Sequence, residues 1–251
     1  MPIRQRILIT GASSGLGEEM ARQFAAMGRH LALCARRTDR LEALRAELSA
    51  RNPGVRIAVR SLDVNDHDAV FRVFGECRDE LGGLDRVIVN AGLGKGARIG
   101  TGRFDANRDT IETNLVAGLA QCEAAVGIFR GQQAGHLVVV SSMSAVRGMP
   151  GTMTAYAASK AGIGQLADGI RLELRGTPIR VTTLLPGYIE SEMSDRSAEK
   201  TPLMVGTTKG VTEMVRLIER EVRTSAVPRW PWVPLSVVLR HAPDGVVRRF
   251  G

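Results

Sequence analysis

Tyr156 and Lys160 stand four residues apart in the stretch TAYAASKAGIG, in a chain with only two tyrosines and four lysines. On a helix four residues make one turn, so the phenol and the ammonium share a face with Cβ atoms about 5–6 Å apart. A free phenol titrates near about 10, a poor match to proton transfer at neutral pH. A cation one turn away favours the phenolate and lowers that value. The pair reads as an acid/base couple, able to give a proton to a substrate oxygen. Ser142 ends the apolar run GHLVVVSS, and a hydroxyl at the carboxyl end of a strand can orient that oxygen.

TGASSGLG follows the apolar run at Ile7–Ile9 and reads as a turn that meets the pyrophosphate of a dinucleotide. Its Gly11, Gly15 and Gly17 suit a tight turn, a close backbone approach to phosphates and close helix–strand packing, in that order. The second strand ends in CARRTDR. A site for NAD would place an acid there; Arg36 and Arg37 instead match a 2′-phosphate, which a guanidinium engages in bidentate fashion. NADP(H) is therefore the expected cofactor. Asp39 falls two residues late and reads as the start of a capping box with Glu42.

The elements that must position these groups alternate along the chain. Ile7–Ile9, Leu31–Ala35, Val55–Val59, Val87–Val89, Leu137–Val140 and Val181–Leu185 read as strands buried on both faces. Between them lie helical stripes: Leu41/Leu44/Leu48, Val70/Phe74/Cys77/Leu81, Ile163/Leu166/Ile170/Leu174 and, later, Met214/Ile218/Val222. Asp66 can cap the helix that follows it. The pattern predicts an α/β chain with a single Rossmann-type, doubly wound parallel sheet of about seven strands flanked by helices. Residues 1–228 are expected to form this domain, with a substrate lid near 188–209 and a separate tail over 229–251.

Composition narrows the function classes. The chain has 251 residues, 44% hydrophobic and 24% charged, ordinary for one large globular domain. It has no apolar run long enough for a signal peptide or a membrane span. Cys34, Cys77 and Cys122 lack the paired spacing of a metal site and read as small buried residues of a reducing compartment. A cytoplasmic location is expected, with contact at a membrane periphery as the alternative. The net charge of +8 comes from scattered arginines with few aromatics, a poor match to nucleic-acid binding.

TGASSGLG, the VNAG at Val89–Gly92, Asn114, Ser141–Ser142, Tyr156-Ala-Ala-Ser-Lys160 and Pro186-Gly187 together resemble the short-chain dehydrogenase/reductase family. The resemblance runs from the first strand to Ser191, about three-quarters of the chain. It implies a catalytic set of Asn114, Ser142, Tyr156 and Lys160. In that set Lys160 also bonds the nicotinamide ribose, and Asn114 holds a water in a proton relay to the lysine. It further implies cofactor contacts from Gly11, Ser13, Ser14, Gly15, Leu16 and Gly17, from Arg36 and Arg37, and from Asp63 and Val64 at the adenine. Asn90, Ala91 and Gly92 then lie near the adenosine ribose, and Pro186, Gly187, Ile189 and Ser191 near the carboxamide.

There are departures. Thirteen residues separate Ser142 from Tyr156, one more than is usual in the family, which leaves Ser141 and Ser144 open as alternatives to Ser142. Ser191 stands where a threonine is usual. The ending SAVPRWPWVPLSVVLRHAPDGVVRRFG is more like the branch that includes 11β-hydroxysteroid dehydrogenases. The prolines at 228, 231 and 234 predict an extended arm through Trp230 and Trp232. That arm can cover the substrate mouth, pack on a second subunit or rest on an anionic membrane surface.

These features imply an NADP(H)-dependent carbonyl reductase or alcohol dehydrogenase acting on a small apolar substrate as a homodimer or homotetramer. A 3-oxoacyl-thioester reductase and a hydroxysteroid-type dehydrogenase are the enzymatic alternatives. A dinucleotide-binding sensor, or a peripheral membrane protein whose fold presents its tail, is the non-enzymatic one. Met193, Leu203 and Met204 in the lid suggest an apolar pocket.

Overall fold

The computed structural model describes residues 3–94, 96–190 and 203–247. Strands and helices alternate. The first half holds β1 (Arg6–Thr10), α1 (Gly15–Ala26), β2 (His30–Ala35), α2 (Thr38–Arg51), β3 (Ile57–Ser61), α3 (His67–Leu81) and β4 (Arg86–Val89). Then come α4 (Phe104–Ile111), α5 (Ala117–Gln132), β5 (Gly135–Val140), α6 (Thr154–Glu173) and β6 (Ile179–Pro186). The chain continues through α7 (Thr207–Glu219), β7 (Thr224–Val227) and α8 (Arg229–His241).

All seven strands pair in parallel, in the order β3-β2-β1-β4-β5-β6-β7. The order reverses between β1 and β4, and such a switch point opens a crevice at the carboxyl ends of the strands. The glycine turn after β1, the VNAG turn after β4, the serines after β5 and Pro186-Gly187 at the end of β6 therefore gather on one edge.

Each helix buries the stripe its sequence carries. On one face of the sheet Val70, Phe74 and Cys77 of α3 pack with Phe129 of α5 and Ile163 of α6. On the other, Met20 and Phe24 of α1, Leu41 and Leu44 of α2, and Met214 and Ile218 of α7 form the second core. The three cysteines are free and buried. Asp66 caps α3, its Oδ1 accepting from the Ala69 N–H at 3.0 Å.

The structure corrects three local expectations. Asp39 is not a cap: α2 begins at Thr38, with Arg37 at the capping position and no side-chain cap. Asp39 lies inside the first turn, where its charge suits the helix dipole. The third strand starts at Ile57 rather than Val55. The tail is helical rather than extended. Trp230 keeps an extended backbone (φ −103°, ψ 130°), and the regular helix begins at Pro231, a first position that needs no N–H. Pro234 falls in the first turn, where its missing N–H affects only the start of the ladder.

The opposite edge of the sheet is tied by buried charge. Arg86, 1% exposed, donates from Nε to His136 Nδ1 at 2.9 Å and pairs with Glu219. With Nδ1 accepting, the proton sits on Nε2, which donates to Thr182 Oγ1 at 2.9 Å. Arg4 pairs with Glu221 at 2.7 Å alongside. Burial, reinforced by the charges of Arg86 and Arg4, holds the His136 pKa well below the ordinary histidine value.

The neutral imidazole is thus the folded form. Below the unfolded pKa near about 6.5, the unfolded chain binds the extra proton and stability falls as pH falls. Urea unfolding between pH 8 and 5 should show stability intact at the upper end, then declining with a His136 contribution of up to about 1.4 kcal/mol per pH unit. His136→Gln should lower the baseline and flatten that slope; equal slopes in both proteins would contradict the assignment.

Candidate active site

The site begins at the crevice. Gly11 takes a left-handed turn (φ 65°), open to glycine at little cost. A Cβ on Gly17 would lie 2.3 Å from the Gly11 carbonyl oxygen, so α1 approaches the turn as closely as a bare backbone allows. Gly15 opens α1, and Leu16 packs against the core beneath it.

Arg37 leans over this turn. Its Nε donates to Ser13 Oγ at 3.2 Å and its Nη2 to Ser14 Oγ at 2.6 Å. One guanidinium and two hydroxyls thus meet at the N-terminus of α2, a donor set that fits a phosphate. Arg36 differs: its side chain is two-thirds exposed and stands 3.9 Å from Asp63. Asp63 Oδ1 accepts from the Asn65 N–H at 3.1 Å, and Val64 is buried in the core.

Sequence reasoning missed Thr10, which joins β1 to β4 at the switch point. Its hydroxyl accepts from the N–H groups of Asn90 and Ala91, both at 3.1 Å, and donates to the Ile88 carbonyl at 3.3 Å. Asn90 returns the bond, Nδ2 donating to the Thr10 carbonyl at 3.0 Å. A hydroxyl directly before the first glycine of the turn was the available signal.

The catalytic candidates converge on α6 and the ends of β4 and β5. Asn114 lies in a π-helical turn, Glu112–Val116, between α4 and α5, a distortion frequent at functional sites. Its Oδ1 accepts from the Leu93 N–H at 2.7 Å, and its Nδ2 donates to the Leu93 carbonyl and to Ser159 Oγ, both at 3.1 Å. Gly92 closes over this group: a Cβ there would sit 2.9 Å from Asn114 Oδ1 and 3.3 Å from Lys160 Nζ.

Lys160 is buried, and its Nζ donates to the Val140 carbonyl at 3.0 Å while lying 6.0 Å from the centre of the Tyr156 ring. Burial lowers its pKa to about 8, which leaves it largely cationic at pH 7. The phenol does not follow the expectation of a lowered pKa. Burial pushes Tyr156 up, and the hydrogen bond with the Ser142 hydroxyl pulls only partly the other way. Desolvation of the phenolate thus outweighs the pull of that hydroxyl, and Tyr156 holds its proton at neutral pH.

The three serines separate by direction. Ser141 donates to the Lys160 carbonyl at 2.6 Å and anchors α6 from the core side. Ser144 donates to Ser142 Oγ at 3.0 Å. Ser142 is the serine whose hydroxyl lies beside Tyr156 and draws its pKa down. Pro186 ends β6, the Gly187 N–H bonds the Val227 carbonyl at 2.8 Å, and the Ile189 side chain is committed to the core. Of the expected lid, Leu203 is half exposed; Ser191 and Met193 lie outside the described residues.

Known proteins resemble this chain in sequence and in fold. A family model described as short chain dehydrogenase matches residues 5–202. The chain is 59% identical to an uncharacterized oxidoreductase of Mycobacterium tuberculosis over 247 residues, 98% of this chain and 97% of that protein. It resembles a solved short-chain dehydrogenase from Sphingobium yanoikuyae in complex with NADPH, at 26% identity and a TM-score of 0.82, covering 96% of this chain and 94% of that one. A short chain dehydrogenase/reductase from Burkholderia phymatum in complex with NAD superposes with a TM-score of 0.84 at 21% identity, covering 98% of this chain and 95% of that one. That second likeness is one of fold.

Thr10 carries a stability consequence. Thr10→Val strands the amides of Asn90 and Ala91, and a buried donor left unpaired costs about 1–3 kcal/mol. Denaturant unfolding should show a loss in that range for Thr10→Val and a smaller one for Thr10→Ser, which keeps the hydroxyl. A Thr10→Val protein as stable as the parent would show that these bonds do not hold the turn.

Proposed function

Because the chain belongs to the short-chain dehydrogenase/reductase family, we propose that it is an NADP(H)-dependent oxidoreductase that interconverts a small apolar ketone or aldehyde with its alcohol. The observation that carries this reading is the half-buried Tyr156, with the Ser142 hydroxyl on one side and the Lys160 ammonium 6.0 Å from its ring centre on the other. The dinucleotide supplies or accepts the hydride. In the reducing direction Ser142 donates to the carbonyl oxygen and fixes its position. Tyr156 gives its proton to that oxygen as the new C–H bond forms, so O–H formation completes the alcohol. The phenolate left behind lies beside Lys160, whose charge stabilises it until it is reprotonated. The raised phenol pKa keeps the proton on Tyr156 until the carbonyl arrives, and its release then depends on the Lys160 charge that stabilises the phenolate.

Arg37, Ser13 and Ser14 support the choice of NADP(H): together they offer a guanidinium and hydroxyls where the 2′-phosphate would lie. Arg36, 3.9 Å from Asp63, is the second cation of that subsite, and Asp63 and Val64 border the adenine. Gly11 to Gly17 would hold the pyrophosphate, Asn90 to Gly92 the adenosine ribose, and Pro186, Gly187, the main chain of Ile189 and Ser191 the carboxamide. Asn114 would support the relay to Lys160. Assembly as a homodimer or homotetramer in the cytoplasm belongs to the same reading; among the described residues no helix is long and apolar enough to cross a membrane.

Tyr156→Phe removes the proton donor and little else. Turnover of a ketone identified from a panel should fall by about 10²–10⁴-fold, with NADPH binding close to that of the parent. A variant that keeps most of its turnover would overturn the role of Tyr156.

Replacing Arg36 and Arg37 with alanine tests the cofactor. Charge-assisted hydrogen bonds contribute roughly 1.5–3 kcal/mol each, so NADPH affinity should drop by one to a few orders of magnitude while NADH affinity hardly moves. Equal losses for both would assign the arginines to the loop or the pyrophosphate instead.

A further inference from the structure

The tail lies against the catalytic edge of its own chain. Trp232, Leu235 and Leu239 recur at helical spacing on α8 and face inward, packing with Met143, Val146, Leu185 and Ala226. Met143 directly follows Ser142, and Leu185 directly precedes Pro186. Val237 and Val238, more than half exposed, lie on the outer side of the same helix.

Contact is closest at Gly187. A Cβ on that residue would come within 2.2 Å of the Trp232 indole, so the ring occupies the space a side chain would fill. The same ring meets Tyr188 edge-on, with centroids 5.4 Å apart at 68°. Trp232 is only 4% exposed, and its Nε1–H has no partner among the described residues. Its hold on the loop is therefore one of shape and dispersion. The far end of α8 is latched as well: Arg147, just beyond the Ser142 turn, bonds the Ala242 carbonyl and pairs with Asp244 at 2.5 Å.

We propose that Trp232 is a positioning residue, through which α8 clamps the Ser142–Arg147 turn and the Pro186–Tyr188 loop in the geometry the reaction needs. The clamp deepens the carbonyl-reductase reading and rests on it for its catalytic consequence. It makes the tail an internal wall of the site, built from the same chain. Gly187 is pinned between the β7 backbone, through its N–H, and the indole. Losing the indole frees one side of that grip while leaving Arg37 and the glycine turn untouched at the other end of the cofactor.

The test compares Trp232→Ala, Trp232→Phe and Val73→Ala. Val73 is buried in the core on α3 and serves as a destabilised control away from the site. With a ketone that the parent reduces, Trp232→Ala should lose about 10- to 100-fold in kcat, the scale of a displaced reacting group, with NADPH affinity little changed. Trp232→Phe, which restores a ring, should recover most of that loss. Val73→Ala should lower Tm and leave kcat unchanged.

Hydrogen exchange on the same proteins reads the clamp without turnover. Trp232→Ala should speed exchange selectively in residues 142–147 and 187–190. Parental kcat with parental exchange there would overturn the proposal, as would exchange rising throughout the chain as it does in Val73→Ala. If the parent reduces no carbonyl with either cofactor, the functional reading falls, and the exchange pattern alone decides the clamp.

Discussion

An ammonium taken out of water must be met by oxygen, and the site is arranged around meeting that of Lys160. The Val140 carbonyl at the end of β5 accepts one of its protons, so the strand end and α6 cannot move independently. Ser141 reinforces the same junction from the other side by bonding the Lys160 carbonyl. Gly92 can approach because it has no side chain, and Asn114 fills the remaining polar space while holding Leu93 by both of its backbone groups. Desolvation lowers the pKa of the lysine and raises that of the neighbouring phenol. A single buried cation thus ties the carboxyl end of β5 to the early turns of α6.

The two edges of the sheet divide the work. At the amino edge Arg86, His136, Glu219, Arg4 and Glu221 join β1, β4 and β5 to the segment between α7 and β7 with charged and neutral hydrogen bonds. At the carboxyl edge the polar groups are aimed outward from strand ends toward a common crevice. Removing one partner from the first set leaves a buried charge unmatched. The second set tolerates some incomplete pairing, since a bound ligand supplies partners.

What could be read from the sequence followed local periodicity. The stripes of α2, α3, α6 and α7 and the apolar strands announced the layers, because burial on a helix or a two-faced sheet imposes a period on the chain. The Tyr156/Lys160 pair was legible for the same reason. Groups set by contacts across the chain were not. Thr10 looks like any strand-end threonine until Asn90 and Ala91 are brought beside it. Which way the hydroxyls of Ser141, Ser142 and Ser144 point depends on contacts beyond their own segment. The π-helical turn around Asn114 leaves no periodic mark over five residues. The short strand β7 was not among the six runs read as strands, although about seven were expected. In α8 the prolines misled, since their cost depends on position within the helix: Pro231 at the start needs no donor, while the same residue mid-helix would have broken it.

The placement of the two tryptophans makes the protein its own optical probe. Trp230 is 79% exposed and Trp232 only 4%, two residues apart in sequence but in unlike solvents. Emission from the first belongs to the red, water-relaxed part of the spectrum and is open to a collisional quencher. Emission from the second belongs to the blue part and is shielded. With no other indole in the chain, the blue component reports on the packing against Gly187 and Tyr188, and the red one serves as an internal reference just before the regular helix.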